Sequence, residues 1–270
     1  MAAQIIGLHQ WFDSPPGSYL LEWEQARFDE AVVDAFGYHG LQLGMPLLNG
    51  LRANRMPHRW HALAHPELLD AGAAPPELLA DPVALPFPES SIDLLLLPHT
   101  LELSHDPHGA LREAARVLVP EGRLVISGLN PVSLWAWRQA RARLYRRLGY
   151  GNLYLPDGGE VIGHWRLRDW LRLLGFEVES LEFGCYRPAV RSARWLQRFA
   201  WMDAVGARAW PIFGAAYFVV AVKRVPGMRL LEPAWRTKAQ RAGAQVPVAN
   251  RSAVSSMQSL ELERLETLRE

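Results

Sequence analysis

Several residues in this chain are of types that do chemistry, and their neighbours say where. His99 follows the apolar run 92–97 and Pro98, so it stands just past a strand end. An imidazole titrates near neutrality and serves there as a general base, or it hydrogen-bonds a neighbouring loop or helix. Glu102, His105 and His108 lie close by in sequence, but with His99 they match no standard metal-ligand spacing, and no metal is expected. Asp81-Pro82 closes an Ala- and Pro-rich stretch; its carboxylate either accepts from a ligand N–H or caps a loop. Asn130-Pro131 also follows a strand. Cys185 is the single cysteine, which excludes an internal disulfide and any multi-cysteine zinc site.

The elements that must position these groups are written most clearly over residues 81–130. The run 92–97, bounded by a Pro-rich loop and Pro98, predicts a strand buried on both faces. Asp106-Pro107 predicts a helix start, with Asp as N-cap and Pro at the first helical position. Ala110, Leu111, Ala114, Val117 and Leu118 give that helix an apolar stripe. Pro120-Glu121-Gly122 is the stop and residues 124–127 the next strand, completing a βαβ unit and hence a parallel sheet. Elsewhere the pattern predicts a helix over 19–36, a strand near 41–45 and helices over 132–147, 168–174 and 189–205. Strands are expected over 176–183 and 215–222. Residues 226–270 lack apolar periodicity and are expected to be a tail that proteolysis trims.

The stretch 81–130 resembles the class I S-adenosylmethionine-dependent methyltransferases, in their type 11 branch. The matching features, in order, are Asp81, Leu85-Pro86-Phe87, Ile92-Asp93, His99, Asp106-Pro107, residues 111–118 and Pro120-Glu121-Gly122. Weaker agreement extends over residues 19–225. The resemblance implies an α/β fold: a mostly parallel, doubly wound sheet of seven strands, with the last two forming an antiparallel pair at one edge. It divides the chain into an extension (1–18), a methyltransferase-like domain (19–225, with insertions 131–165 and 183–212) and the tail.

The resemblance also implies S-adenosylmethionine as cofactor and methyl transfer to an unidentified small-molecule acceptor. In open α/β sheets ligands bind at the carboxyl ends of the strands. That gathers Gln42, Gly44, Asp81, Pro82, Leu97 and Pro98 as cofactor-binding candidates, with His99 as the catalytic candidate. The departures lie in the first strand and its loop. Gln42 stands where the family has an Asp, and Met45-Pro46-Leu47-Leu48-Asn49 replaces most of the Gly-rich loop. Leu63 falls where an acid should hold the ribose hydroxyls; in another register Glu67 substitutes. Weak cofactor binding is expected. A non-catalytic methyltransferase-like module is the competing class.

Charge is unevenly spread. The net charge is +1, yet residues 1–130 hold 7 basic against 16 acidic residues, and residues 131–198 hold 12 against 6. The Arg- and Trp-rich segments 135–147 and 187–201 suit a nucleic acid, a membrane surface, or a solvated basic face with its Trp residues in the core. The last is the expected one, with neither polyanion nor bilayer bound at physiological salt. No signal peptide or apolar run long enough to span a membrane is visible, so the cytoplasm is the expected compartment.

Overall fold

In the computed structural model the described residues are 11–64, 76–147, 154–155 and 161–224. Helix α1 (Pro15–Val33) leads into β1 (His39–Leu43), β2 (His58–Leu63), β3 (Leu78–Leu79) and β4 (Ile92–Pro98). The short helix α2 (Thr100–Leu103), α3 (Pro107–Val117) and β5 (Leu118–Leu129) follow. After α4 (Leu134–Arg147) come α5 (His164–Leu173), β6 (Phe176–Gly184), α6 (Ala193–Arg198) and α7 (Trp201–Ala209). A single 3₁₀ turn (Pro211–Phe213) precedes β7 (Ala216–Lys223).

The seven strands form one sheet in the order β3-β2-β1-β4-β5-β7-β6. Pairings from β3 through β5 are parallel; β7 runs antiparallel to both β5 and β6. This is the doubly wound α/β architecture expected, with one reversed strand inserted beside the edge.

The Leu run of β4 explains the two faces. Side chains alternate across a strand. Leu95 and Leu97 therefore pack with Ala110, Leu111 and Ala114 of α3 and Leu167 and Leu171 of α5. Leu94 and Leu96 point the other way, to Phe28 and Val32 of α1 and to Phe218. Leu is a weak strand former, but burial on both faces overrides propensity. Helix α3 begins as its sequence requires: Pro107 opens it, and Asp106 Oδ1 accepts from the Gly109 N–H at 2.8 Å.

Two local expectations are corrected, and one connection departs from the usual pattern. The stop at Pro120-Glu121-Gly122 lies inside β5: Leu118 pairs with Ile92 and Arg123 with Leu94, so residues 119–122 bulge out, with Glu121 at φ 64°. The helix over 189–205 is two helices, broken at Phe199 and Ala200. Between β1 and β2 a parallel pair normally takes a helical crossover. Residues 44–57 instead make a series of turns, and Leu48, Leu51 and Met56 from them fill the core. The tail 226–270, most of the extension 1–18 and Glu67 lie outside the described residues.

The entry to β1 is fastened to the foot of β4. Asp93 Oδ2 accepts from the backbone N–H groups of Tyr38 and His39, each at 2.9 Å. These donors precede and open the strand. Asp93→Ala is expected to destabilise the fold by about 1–3 kcal/mol, measured by urea unfolding. A change below about 0.5 kcal/mol would show that solvent replaces the carboxylate.

Candidate functional site

The carboxyl ends of β1 and β4 meet at Gly44 and Thr100. Gly44 has φ 78°, a conformation glycine adopts without strain. A Cβ added there would sit 3.2 Å from Thr100 Oγ1 and 3.7 Å from the Pro98 carbonyl. Thr100 Oγ1 donates to the Leu43 carbonyl at 2.6 Å, tying the end of β1 to α2. Leu97 and Pro98 are buried in the last turn of β4.

His99 is the centre of this end of the sheet. It is 2% exposed and adopts φ 52°, which turns the chain from β4 into α2. Its Nδ1 lies 2.8 Å from Glu102 Oε2, and its Nε2 lies 2.8 Å from Glu24 Oε1. The Glu102 pair is aligned as a hydrogen bond; the Glu24 pair is an ion contact without that alignment. Glu102 Oε1 also accepts from the Leu129 N–H, so one carboxylate joins α2, β4 and the end of β5. The Phe12 ring lies 5.8 Å from the imidazole.

Burial alone lowers the pKa of an imidazole, but Glu24 and Glu102 outweigh it and hold His99 up at about 10. The ring is therefore a cation at neutral pH. A general base must be unprotonated near the working pH, so the catalytic candidacy of His99 is corrected: it is an ion clamp. Two glutamate side chains flank the one imidazole, and Glu24 Oε2 is buried with no hydrogen-bond partner.

Sequence reasoning passed over Glu24, although its signal was there. The buried positions of α1 include Leu20, Glu24, Phe28 and Val32, at steps of four. A carboxylate in the middle of an apolar stripe must be compensated, because an unpaired buried charge is costly.

Gln42 is buried as well, and its amide is spent within the loop. Nε2 donates to the Leu48 carbonyl at 2.6 Å and the Met45 carbonyl at 3.3 Å, and Oε1 accepts from the Gly50 N–H at 2.8 Å. The side chain organises residues 44–50 and faces no ligand space. Asp81 stands beyond β3, exposed, where its Oδ1 accepts from the Val83 N–H at 3.0 Å. Pro82 is buried behind it. The capping reading of Asp81 is thus realised for one oxygen.

A cleft of about 310 Å³ opens beside Gly44, Leu63 and Glu77, with Arg52, Arg59 and His61 on its wall. Arg52 is paired with Asp29, and Arg59 donates to the Asn54 carbonyl at 3.0 Å. Glu77, just ahead of β3, brings a carboxylate to a cleft at which β2 ends in Leu63. One Glu77 oxygen accepts from the His61 N–H at 2.7 Å. Cys185 is buried and its thiol is pushed well up by burial, which removes it as a nucleophile. No group of three or more metal-ligating side chains is found among the described residues.

The His99 clamp generates a stability prediction. A histidine whose folded pKa is raised contributes stability in full below its unfolded value, and loses it as pH rises through the folded value. Unfolding temperature should therefore fall between about pH 6.5 and about pH 10. His99→Leu should flatten this dependence and cost about 3–5 kcal/mol at neutral pH, because it strands two buried carboxylates. An unchanged pH profile in the variant would refute the clamp.

Comparison with known proteins places this geometry. Residues 62–126 match the family described as Methyltransferase domain. The chain is 34% identical over 174 residues to the uncharacterized protein YafS of Escherichia coli K12, covering 64% of this chain and 67% of that protein. It is 34% identical over 103 residues to 27-O-demethylrifamycin SV methyltransferase of Amycolatopsis mediterranei. That match covers 38% of this chain and about a third, 36%, of the relative's length. Among solved structures, a methyltransferase of Haloferax volcanii in complex with the Trm112 methyltransferase activator superposes with a TM-score of 0.52. At 18% identity, covering 81% of this chain and 96% of that one, it speaks for the fold alone. The order β3-β2-β1-β4-β5-β7-β6, with β7 the one reversed strand, agrees. This chain belongs to the class I S-adenosylmethionine-dependent methyltransferase family.

Proposed function

We propose that the protein transfers a methyl group from S-adenosylmethionine, the donor of its family, to a small-molecule acceptor at the carboxyl ends of β1 and β4. The observation that carries this reading is a buried, unpartnered carboxyl oxygen at that end of the sheet, on Glu24 beside His99. Glu24 Oε2 has no partner within the protein, and a cationic ligand is what such an oxygen suits. The donor has two positive centres, a sulfonium and an ammonium, so the chemistry of the residues fits it. When bound, it supplies a methyl carbon already activated by the sulfonium.

The work left to the chain is binding, orientation and exclusion of water, since an in-line displacement needs positioning more than proton transfer. Glu24 would offset the donor's charge. Gly44 would let bare backbone approach it, and Leu97, Pro98 and Pro82 would supply apolar walls. Asp81 keeps one oxygen uncommitted to the Val83 N–H and would accept from the adenine amine. Phe12 packs on His99, and a chain of ring contacts runs from it through Trp11 to Trp135, which also meets Tyr19 and Tyr154.

A second reading has its own observation. The loop after β1 is folded onto itself by Gln42 and seats Met45 and Leu48 in the core, where the family keeps an open Gly-rich loop. A packed loop favours a non-catalytic module. Calorimetry on the purified protein decides between them. Saturable binding of S-adenosylmethionine or S-adenosylhomocysteine, micromolar to about millimolar, is expected, weakened about tenfold or more by Asp81→Ala. No binding up to about millimolar donor, by a normally folded protein, would assign the chain to the second reading.

A further inference from the structure

Of the Trp residues in segments 135–147 and 187–201, Trp135 is buried, its indole N–H donating to the Arg187 carbonyl at 2.9 Å. The others reach solvent. Trp137 is 64% exposed on α4 and Trp201 57% exposed on α7; Trp195, Trp210, Ile212 and Phe213 are exposed beside them in sequence. The expectation of Trp in the core is corrected. These elements are tied together: Arg138 of α4 donates to the Ala189 carbonyl ahead of α6, and Tyr186 packs on Gly206 of α7 while its hydroxyl donates to the Pro211 carbonyl. All follow the carboxyl ends of β5 and β6 or precede β7, on the side of the sheet where the candidate site opens.

The charge of the same surface has one sign. Residues 131–147 contain no acid, and residues 187–213 contain only Asp203. Asp203 is committed to Tyr19, the Tyr186 N–H and Arg187. Arg141, Arg143, Arg194, Arg198 and Arg208 are exposed and form no ion pair among the described residues. Arg141 lies over the Trp137 ring at 5.0 Å and Arg198 over Trp195 at 5.8 Å.

We infer that this surface docks on an anionic lipid bilayer. The warrant is charge complementarity combined with composition. A surface that interleaves exposed Arg with exposed Trp, Ile and Phe suits the boundary of headgroups and acyl chains. Trp and Arg share that depth, the indole at the interface and the guanidinium on the phosphates. A nucleic acid would use the cations but not Leu144, Ile212 or Phe213, which offer nothing to a phosphate backbone. Its bases would also need ring faces that Arg141 and Arg198 partly cover. The binding is peripheral; no described helix is long and apolar enough to cross a membrane. The proposal is independent of methyl transfer, since its readout is partitioning.

The test is co-sedimentation of the full chain with phosphatidylcholine vesicles, with and without phosphatidylglycerol. Binding is expected only with the anionic lipid and should weaken as salt rises. Arg141→Glu, Arg194→Glu and Arg198→Glu together should lower partitioning on the order of a hundredfold. Trp137→Ala with Trp201→Ala should lower it about tenfold while leaving the circular dichroism unchanged. The salt dependence of the unmodified protein is a readout that needs no variant. No partitioning onto anionic vesicles at moderate salt would overturn the proposal. So would tighter binding to single-stranded RNA than to vesicles, or partitioning that ignores both Trp substitutions.

Discussion

The constraint on which this fold turns is that two carboxylates and one imidazole are shut away from water at the head of the central strand. Ionisable groups in such a place are costly to bury unless groups of opposite charge stand beside them. Glu24 arrives from α1, His99 from the end of β4 and Glu102 from α2, and Glu102 also takes the Leu129 N–H at the end of β5. Four elements are thereby held in one arrangement by groups that would be costly to separate. Apolar packing determines that α1 lies on the sheet; the ion cluster determines where along the sheet it stops.

Hydrophobic contacts tolerate sliding, because one methyl group serves nearly as well as the next. A carboxylate facing an imidazolium does not. This explains why a short helix such as α2, with little apolar surface, keeps its place. It also explains the left-handed backbone of His99, a conformation that survives in a non-glycine residue only where the surroundings over-determine it.

The βαβ core was readable from sequence because local and tertiary preferences agree there. Asp106-Pro107 is a helix start in isolation and in the fold, and the Leu run of β4 needs only to be buried on both sides. The same reading missed the bulge at residues 119–122, whose Pro-Glu-Gly looks like any turn; only pairing with β4 reveals that the strand has already begun. It placed Gln42 on a ligand, since position in the chain says nothing about which way an amide points. It offered His99 as a base because residue type gives an unperturbed pKa and not the neighbours that raise it. The Trp residues show the same limit. A periodic pattern separates the faces of a helix, but it does not say which face a neighbouring element will cover.

The reversed strand β7 has a further result. Because it runs against both neighbours, the end of β6 and the start of β7 lie side by side, with Gly184 paired to Ala216. At Gly184 the chain also passes so close to Trp23 that a Cβ would collide with the indole. A connection between two adjacent strand ends needs no crossover, and closing a longer loop costs only about 0.6 kcal/mol per doubling of its length. The segment that carries α6, α7 and the 3₁₀ turn is therefore a cassette. Evolution is free to lengthen, shorten or exchange it without disturbing the register of the sheet, and so to change what the protein meets while keeping the machinery beneath.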